Sequence, residues 1–311
     1  MVKVVVERRS RTKAILLTFA AVLFVIFVII PLSLVVFDGK KLGNVALIPV
    51  VGVITGDGSP APFGSSSVSS RDIVAFIEEA DANPGLTAIV LEINSPGGSA
   101  VASDEIAAAV KKAEKPVVAL IREAGASGAY WIASAADHVV ANKMSITGSI
   151  GVISSYLEFS GLMEKYGIRY EPLTSGQYKD VGNPYQPLDS KKKALLQGKL
   201  DKIHAYFIEE VARNRQLSED HVRKLATGEF FLGVEAKELG LVDELGDQQT
   251  VQTYLREKHG LLDIVYVPFE KERGFFEMLA GISSSFSFEI GKGIGAAFMD
   301  TQSPETLMLL S

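Results

Sequence analysis

Ser127 lies in the run Gly125-Ala126-Ser127-Gly128-Ala129-Tyr130, with one glycine two positions before it and another directly after it. Small neighbours at a strand-to-helix turn give a serine room to present its hydroxyl and an adjacent amide to a substrate, as a serine nucleophile requires. The run is similar to a nucleophile elbow but lacks the closing glycine of G-x-S-x-G. The same residue type in that place is also an ordinary helix N-cap. A second run, Asn94-Ser95-Pro96-Gly97-Gly98, puts two glycines in succession where a strand gives way to a helix. Amides left unpaired there suit a developing oxyanion, and the same pattern also reads as a turn and a helix start.

A serine nucleophile needs a base. Of the four histidines, His138 opens a short strand pattern, and His204, His221 and His259 lie in polar helical stretches. None has a suggestive partner nearby in sequence. Lys179, in Thr174-Ser175-Gly176-Gln177-Tyr178-Lys179-Asp180, sits after a strand pattern among small and aromatic residues. To take a proton it must be neutral, and burial lowers a lysine pKa from about 10.4 by several units. Read locally, it is equally a solvated surface lysine, and sequence distance does not show that it meets Ser127. No H-E-x-x-H, paired histidines or acidic cluster points to a metal.

Composition narrows the chemistry further. Among 311 residues there is no cysteine, which excludes thiol catalysis, thiolate metal sites and disulfides. The formal charge is −6 overall, but residues 1–44 carry a net +5 and the remainder −11. An acidic body argues against nonspecific nucleic-acid binding.

The elements that must position these residues alternate. Val45 to Ile54 reads as a strand, and Thr55 to Ser69 as a Gly/Ser/Pro-rich mobile flap. Ser70 is placed to cap a helix that stops at Asn83-Pro84-Gly85. Strands at 88–93 and 116–121 each lead into a helix, at 101–112 and 127–135. Further strands are expected at 138–141, 151–154 and 168–172, with a helix near 157–166. Helices follow at 190–214, 219–226, 234–239 and 248–258, then a strand at 263–267. Short apolar runs separated by helices predict an α/β domain with a mostly parallel sheet covered on both faces. No linker divides residues 45–270, which reads as one domain followed by a tail, 271–311.

The N-terminus adds a membrane element. Ala14 to Phe37 is 24 residues without a charge, a helix of roughly 36 Å against a hydrocarbon core of about 30 Å. Arg8, Arg9, Arg11 and Lys13 precede it. Residues 1–13 are therefore expected in the cytoplasm, 14–37 as an uncleaved single-pass signal anchor, and the body outside. A cleaved leader has a shorter core, ~7 to 15 residues, and a small-x-small exit. Phe275 to Phe298 is interrupted by Glu277, Glu289 and Lys292 and does not read as a second span.

Taken together, IPVVGVI, LEINSPGG, GASGAYWIASAADHVVAN, TGSIGVI, SGQYKDVG and FLGVEAKELGLVDELG resemble the signal peptide peptidase A family, the membrane-anchored Ser/Lys proteases of peptidase family S49. The resemblance covers residues 45–246 in order and implies a ClpP/crotonase-like fold. It puts the nucleophile on Ser127, the general base on Lys179 and an auxiliary hydroxyl on Ser149. Gly97 and the amide of Gly128 fall at the oxyanion hole. It further implies acyl-enzyme hydrolysis of cleaved signal peptides and other apolar peptides, with no cofactor and no nucleic acid. The assembly it implies is a dome-shaped homo-oligomer, an octamer, in which neighbouring protomers share one Ser/Lys site.

Other readings remain open at this stage. A stomatin-associated Ser/Lys membrane protease shares fold and dyad, with the two residues closer in sequence. A crotonase-type acyl-CoA enzyme would need adenine and pantetheine contacts and no Ser/Lys pair. An inactive quality-control scaffold would not need Ser127 and Lys179 intact. A ClpP-like Ser/His/Asp site is disfavoured by Val152, which stands in the region where that histidine would fall.

Overall fold

The computed structural model describes residues 2–29, 43–59 and 66–270. The chain divides into two units, Met1–Pro268 and Phe269–Ser311, and the second lies outside the described residues except for Phe269 and Glu270. Helix α1 (Val2–Phe24) runs into a π-helical turn, Val25–Ile29. The expected anchor, 14–37, is thus described only as far as residue 29, with Leu17 and Phe27 each 71% exposed. Among the described residues, no helix is long and apolar enough to cross a membrane.

The body then runs β1 (Val45–Val51), β2 (Val53–Thr55), β3 (Ser67–Ser69), α2 (Ser70–Ala82), β4 (Ala88–Ser95), α3 (Ala100–Lys112), β5 (Val117–Ala126) and α4 (Gly128–Ser134). It continues with β6 (His138–Ala141), β7 (Ile146–Gly148), α5 (Ser160–Lys165), α6 (Ser190–Arg215), α7 (Glu219–Leu225) and β8 (Phe230–Leu232). Last come α8 (Gly233–Glu238), β9 (Glu244–Leu245), α9 (Gln248–His259) and β10 (Tyr266–Pro268). The main sheet has the order β10-β1-β4-β5-β6-β9, all parallel. β7 pairs with the upper end of β5, and β8 closes antiparallel on β7.

Parallel strands covered on both faces read as unbroken apolar runs, and Ala88 to Leu91 and Val117 to Ile121 are buried throughout. On one face Val45, Val90, Val118, Leu120 and Val140 pack against Val251 and Leu255 of α9. The other face carries α2 and α4, which lie against β1 and β5 and bury Ile73, Ile77, Tyr130 and Ile132. Each fully buried side chain of this size contributes about 1.5–3 kcal/mol.

The expected α/β class and parallel sheet are observed, with local corrections. Ser69, not Ser70, caps α2, its hydroxyl accepting from the Asp72 amide at 3.3 Å. The strand expected at 151–154 is displaced to 146–148, because Gly148 and Ser149 both take positive φ and end the pairing there. The alternation at 168–172 forms no strand; Ile168 and Tyr170 stay exposed because no strand lies beside them to accept their hydrogen bonds. The flap region contributes β2 and β3, paired in parallel, while residues 60–65 lie outside the described set.

Helix α6 is docked by its second half only. Phe207, Ile208, Val211 and Ala212 are buried, and Phe207 stacks on Trp131 of α4 with ring centroids 4.8 Å apart. At its end Arg215, with 7% of its side chain exposed, donates from Nη1 and Nη2 to the two carboxylate oxygens of Asp243 at 3.0 and 2.5 Å. Asp243 also accepts the Val139 amide at 2.8 Å, so one carboxylate ties α6 to β6. Burial pushes the Asp243 carboxyl up, but the hydrogen bonds and charge of Arg215 outweigh it and hold the group below the ordinary carboxylate range.

Asp243→Asn leaves the guanidinium buried without its counter-charge. The expected loss is about 2 kcal/mol, below the 3–5 of a fully enclosed pair, because 31% of the Asp243 side chain is exposed. A depressed native pKa contributes stability above the unfolded value of about 3.9 and loses it as pH falls through the native one. Urea denaturation should therefore show the variant's deficit full at pH 7 and closing below pH 4; a deficit independent of pH would contradict this assignment.

Candidate active site

Ser127 is the single residue between β5 and α4, and its backbone is strained, with φ 53° and ψ −124°. A side chain at positive φ outside a glycine costs of order 1–3 kcal/mol and persists only where surrounding structure over-determines it. Here the Ser127 amide donates to the Gly148 carbonyl at 2.8 Å, and the Ser127 carbonyl accepts from Trp131 at 3.0 Å. The hydroxyl makes no capping bond to α4, so the N-cap alternative is not how this side chain is used. It stands half-buried at the carboxyl end of a central strand, where α/β sheets place their sites.

The glycine loop meets Ser127 directly. Gly97 has φ +100°, and a Cβ built on it would lie 2.8 Å from both the Ala126 oxygen and the Gly128 nitrogen. Its amide, however, donates inward to Oγ of the fully buried Ser95 at 3.1 Å. The Ile54 amide and carbonyl grip the loop through Gly97 O at 3.0 Å and Ser99 N at 2.8 Å. This leaves the amides of Gly98 and Gly128 without a hydrogen bond among the described residues. They converge: a Cβ on Gly128 would sit 3.3 Å from the Gly98 nitrogen. The expected donor from this loop was Gly97; the geometry makes Gly98 the free one.

Ser149 is brought beside Ser127 by the β5–β7 register, in which Ala126 pairs with Gly148. It too has positive φ, 49°. Its amide donates to Glu229 O at 2.9 Å and its hydroxyl to Gly228 O at 3.1 Å.

Lys179 is placed differently. It lies on an exposed turn, its amide donating to Gly176 O at 3.2 Å, and its side chain makes no hydrogen bond or ion pair among the described residues. Within one chain, then, Ser127, Gly97, Gly128 and Ser149 are gathered, and Lys179 makes no described contact with them. The adjacent Asp180 is anchored instead, accepting from Lys192 Nζ at 3.0 Å and from Gln186. Hydrogen bonds from Gln186, then Lys192, hold its carboxyl below the ordinary range.

No histidine competes as base. His138 opens β6, at the amino end of the sheet, and stacks on Tyr254 at 3.8 Å with Glu244 and Asp243 beside it. Among the described residues no group of His, Asp or Glu could hold a metal ion. Sequence reasoning offered both glycines of the loop but missed the role of Ser95. Ser95 had a signal, a polar residue closing an apolar strand, but the two glycines could not be told apart without their hydrogen bonds.

Because the strain at Ser127 is conformational, it can be separated from the hydroxyl. Ser127→Gly should be more stable than Ser127→Ala by about 1 kcal/mol, although glycine ordinarily costs folding entropy. Thermal unfolding of the two variants tests this; an alanine form at least as stable as the glycine form would deny the strain.

Comparison with known proteins gives this geometry a family. The model of peptidase family S49 matches residues 109–262. A Methanocaldococcus jannaschii protein named provisionally as a protease, MJ0651, is 33% identical over 265 residues, 83% of each chain. An Enterococcus faecium protein named provisionally as signal peptide peptidase SppA is 29% identical over 238 residues, 76% of this chain and 69% of that one. Protease 4 of Haemophilus influenzae is 32% identical over 207 residues, 65% of this chain and 33% of its own length. With a strained serine beside two free amides and similarity of this extent, the chain belongs to peptidase family S49 and is a serine protease.

Proposed function

We propose that the protein is a membrane-tethered endopeptidase on a ClpP/crotonase-like fold that degrades cleaved signal peptides and other apolar peptides. Ser127 is the nucleophile, Lys179 the general base, and Ser149 the hydroxyl that orients the lysine amine. The observation that carries this reading is Ser127, held at φ 53° with its hydroxyl uncommitted to α4. Neutral Lys179 takes the Ser127 proton as Oγ attacks the scissile carbonyl. The resulting oxyanion accepts from the Gly98 and Gly128 amides, a donor of this kind being worth ~3 kcal/mol. Lys179 then gives its proton to the leaving amine, and water, activated by the same lysine, hydrolyses the acyl-enzyme. Gly97 shapes the loop and is not itself a donor.

The lysine must be neutral and desolvated, and in one chain its side chain is exposed and makes no described contact with Ser127. Residues 151–206 contain no buried residue yet expose Ile153 (85%), Leu157 (72%), Tyr166 (70%) and Leu173 (101%). Apolar area on this scale calls for a partner. A second copy of the chain meets the need, in a homo-oligomer, an octamer, that delivers Lys179 of one protomer to Ser127 of the next. The apolar substrate class is supported by the name of the Enterococcus faecium relative and by the uncharged stretch 14–37 behind four basic residues. In this reading residues 14–37 anchor the protein with its N-terminus in the cytoplasm. Residues 45–270 form the peptidase domain outside, followed by the tail 271–311.

The enzyme in detergent should hydrolyse a fluorogenic apolar peptide. Ser127→Ala and Lys179→Ala should each reduce kcat by at least a thousandfold. Coexpression of the two inactive chains should restore activity if the site is shared; verified mixed oligomers without recovery would place the dyad within one chain. Wild-type protein that is folded and oligomeric yet inert towards varied peptides would refute the protease reading of this site.

A further inference from the structure

We propose that the Asp180–Lys192 ion pair fixes the turn that presents Lys179, making both residues positioning residues of the catalytic base. This rests on the reading of Lys179 as base.

The turn carrying Lys179 is held by few contacts. Residues 151–206 include none that is buried, and most of the turn's bonds are local: Lys179 N to Gly176 O at 3.2 Å, Val181 N to Tyr178 O at 3.3 Å and Asn183 N to Asp180 O at 3.1 Å. Beyond these, Asn183 Nδ2 donates to the Tyr170 hydroxyl at 2.6 Å and Pro184 O accepts from Phe159 N at 2.7 Å, all within the same coreless segment. Against that background Asp180 and Lys192 are well protected, with 13% and 17% of their side chains exposed and 3.0 Å between Oδ1 and Nζ. Gln186 donates to the other carboxylate oxygen. Lys192 belongs to the first turn of α6, where Asp189 caps its amide at 2.8 Å. From Lys192 to Phe207, where α6 stacks on Trp131, the helix runs about 22 Å. The turn therefore needs an anchor of its own, and the carboxylate next to the base supplies it.

The test is the kinetics of peptide hydrolysis by the oligomer at one pH. Asp180→Asn and Lys192→Met should each lower kcat several-fold with KM within twofold, because the turn that presents Lys179 loses its tie to α6. Lys192→Arg, which keeps the ion pair, should restore kcat. Lys193→Met, on an exposed neighbour, should leave it unchanged. Melting temperature and oligomer size separate misfolding from mispositioning. Activity surviving Lys179→Ala would overturn the base assignment and this inference with it. An inactive Lys179→Ala beside Lys192→Met and Asp180→Asn forms of wild-type kcat would overturn the inference alone.

Discussion

The hydrogen bond from the Ser127 amide to the Gly148 carbonyl, at 2.8 Å, is the contact on which the site depends. It continues the β5–β7 ladder one step past Ala126 and Gly148, and so fixes a residue whose backbone would otherwise relax. The same step puts Ser149, also at positive φ, beside the nucleophile. Strain of this kind is tolerable only on a stiff support. β5 provides one, a central strand with neighbours on both sides and Val117 to Ile121 fully enclosed.

Small residues let the support close around the serine. Gly97 and Gly98 bring the loop after β4 against Ala126 and Ile54 at distances no side chain would permit. Gly128 leaves room for the buried hydroxyl of Ser103, 2.3 Å from where a Cβ would stand. Every residue of α4 is buried, so the helix that begins with Gly128 and its free amide has no freedom to shift. Its Trp131 also receives α6, which links the packing behind Ser127 to the helix that carries Lys192. Preorganised donors of this sort stabilise charge without rearranging as it forms.

The segment that carries Lys179 obeys a different rule. From residue 151 to 206 the chain gathers aromatic and aliphatic side chains but no core. Isolated polar contacts, the Asp180–Lys192 pair among them, replace the hydrophobic packing that orders the rest. Such a segment sits at the low-stability end of a fold until a partner covers it.

Much of this was legible before any coordinates. Alternating apolar runs and helix signals fix the α/β class, because strands buried on both faces must be apolar throughout. The chemistry came from the resemblance of whole segments to peptidase family S49, because taken alone Ser127 also reads as a helix cap, the glycine loop as a turn and Lys179 as a surface lysine. Tertiary structure alone decided which glycine offers its amide, because that turns on Ser95 Oγ capturing the Gly97 N–H. It also decided that β7 ends at Gly148 and that 168–172 is no strand, because a strand exists only where another lies beside it to share hydrogen bonds. Sequence carries residue types and their periodicity along one chain. Which donors remain free, and whether a base meets its nucleophile, depends on contacts between segments distant in sequence, and these exist only once the chain has folded.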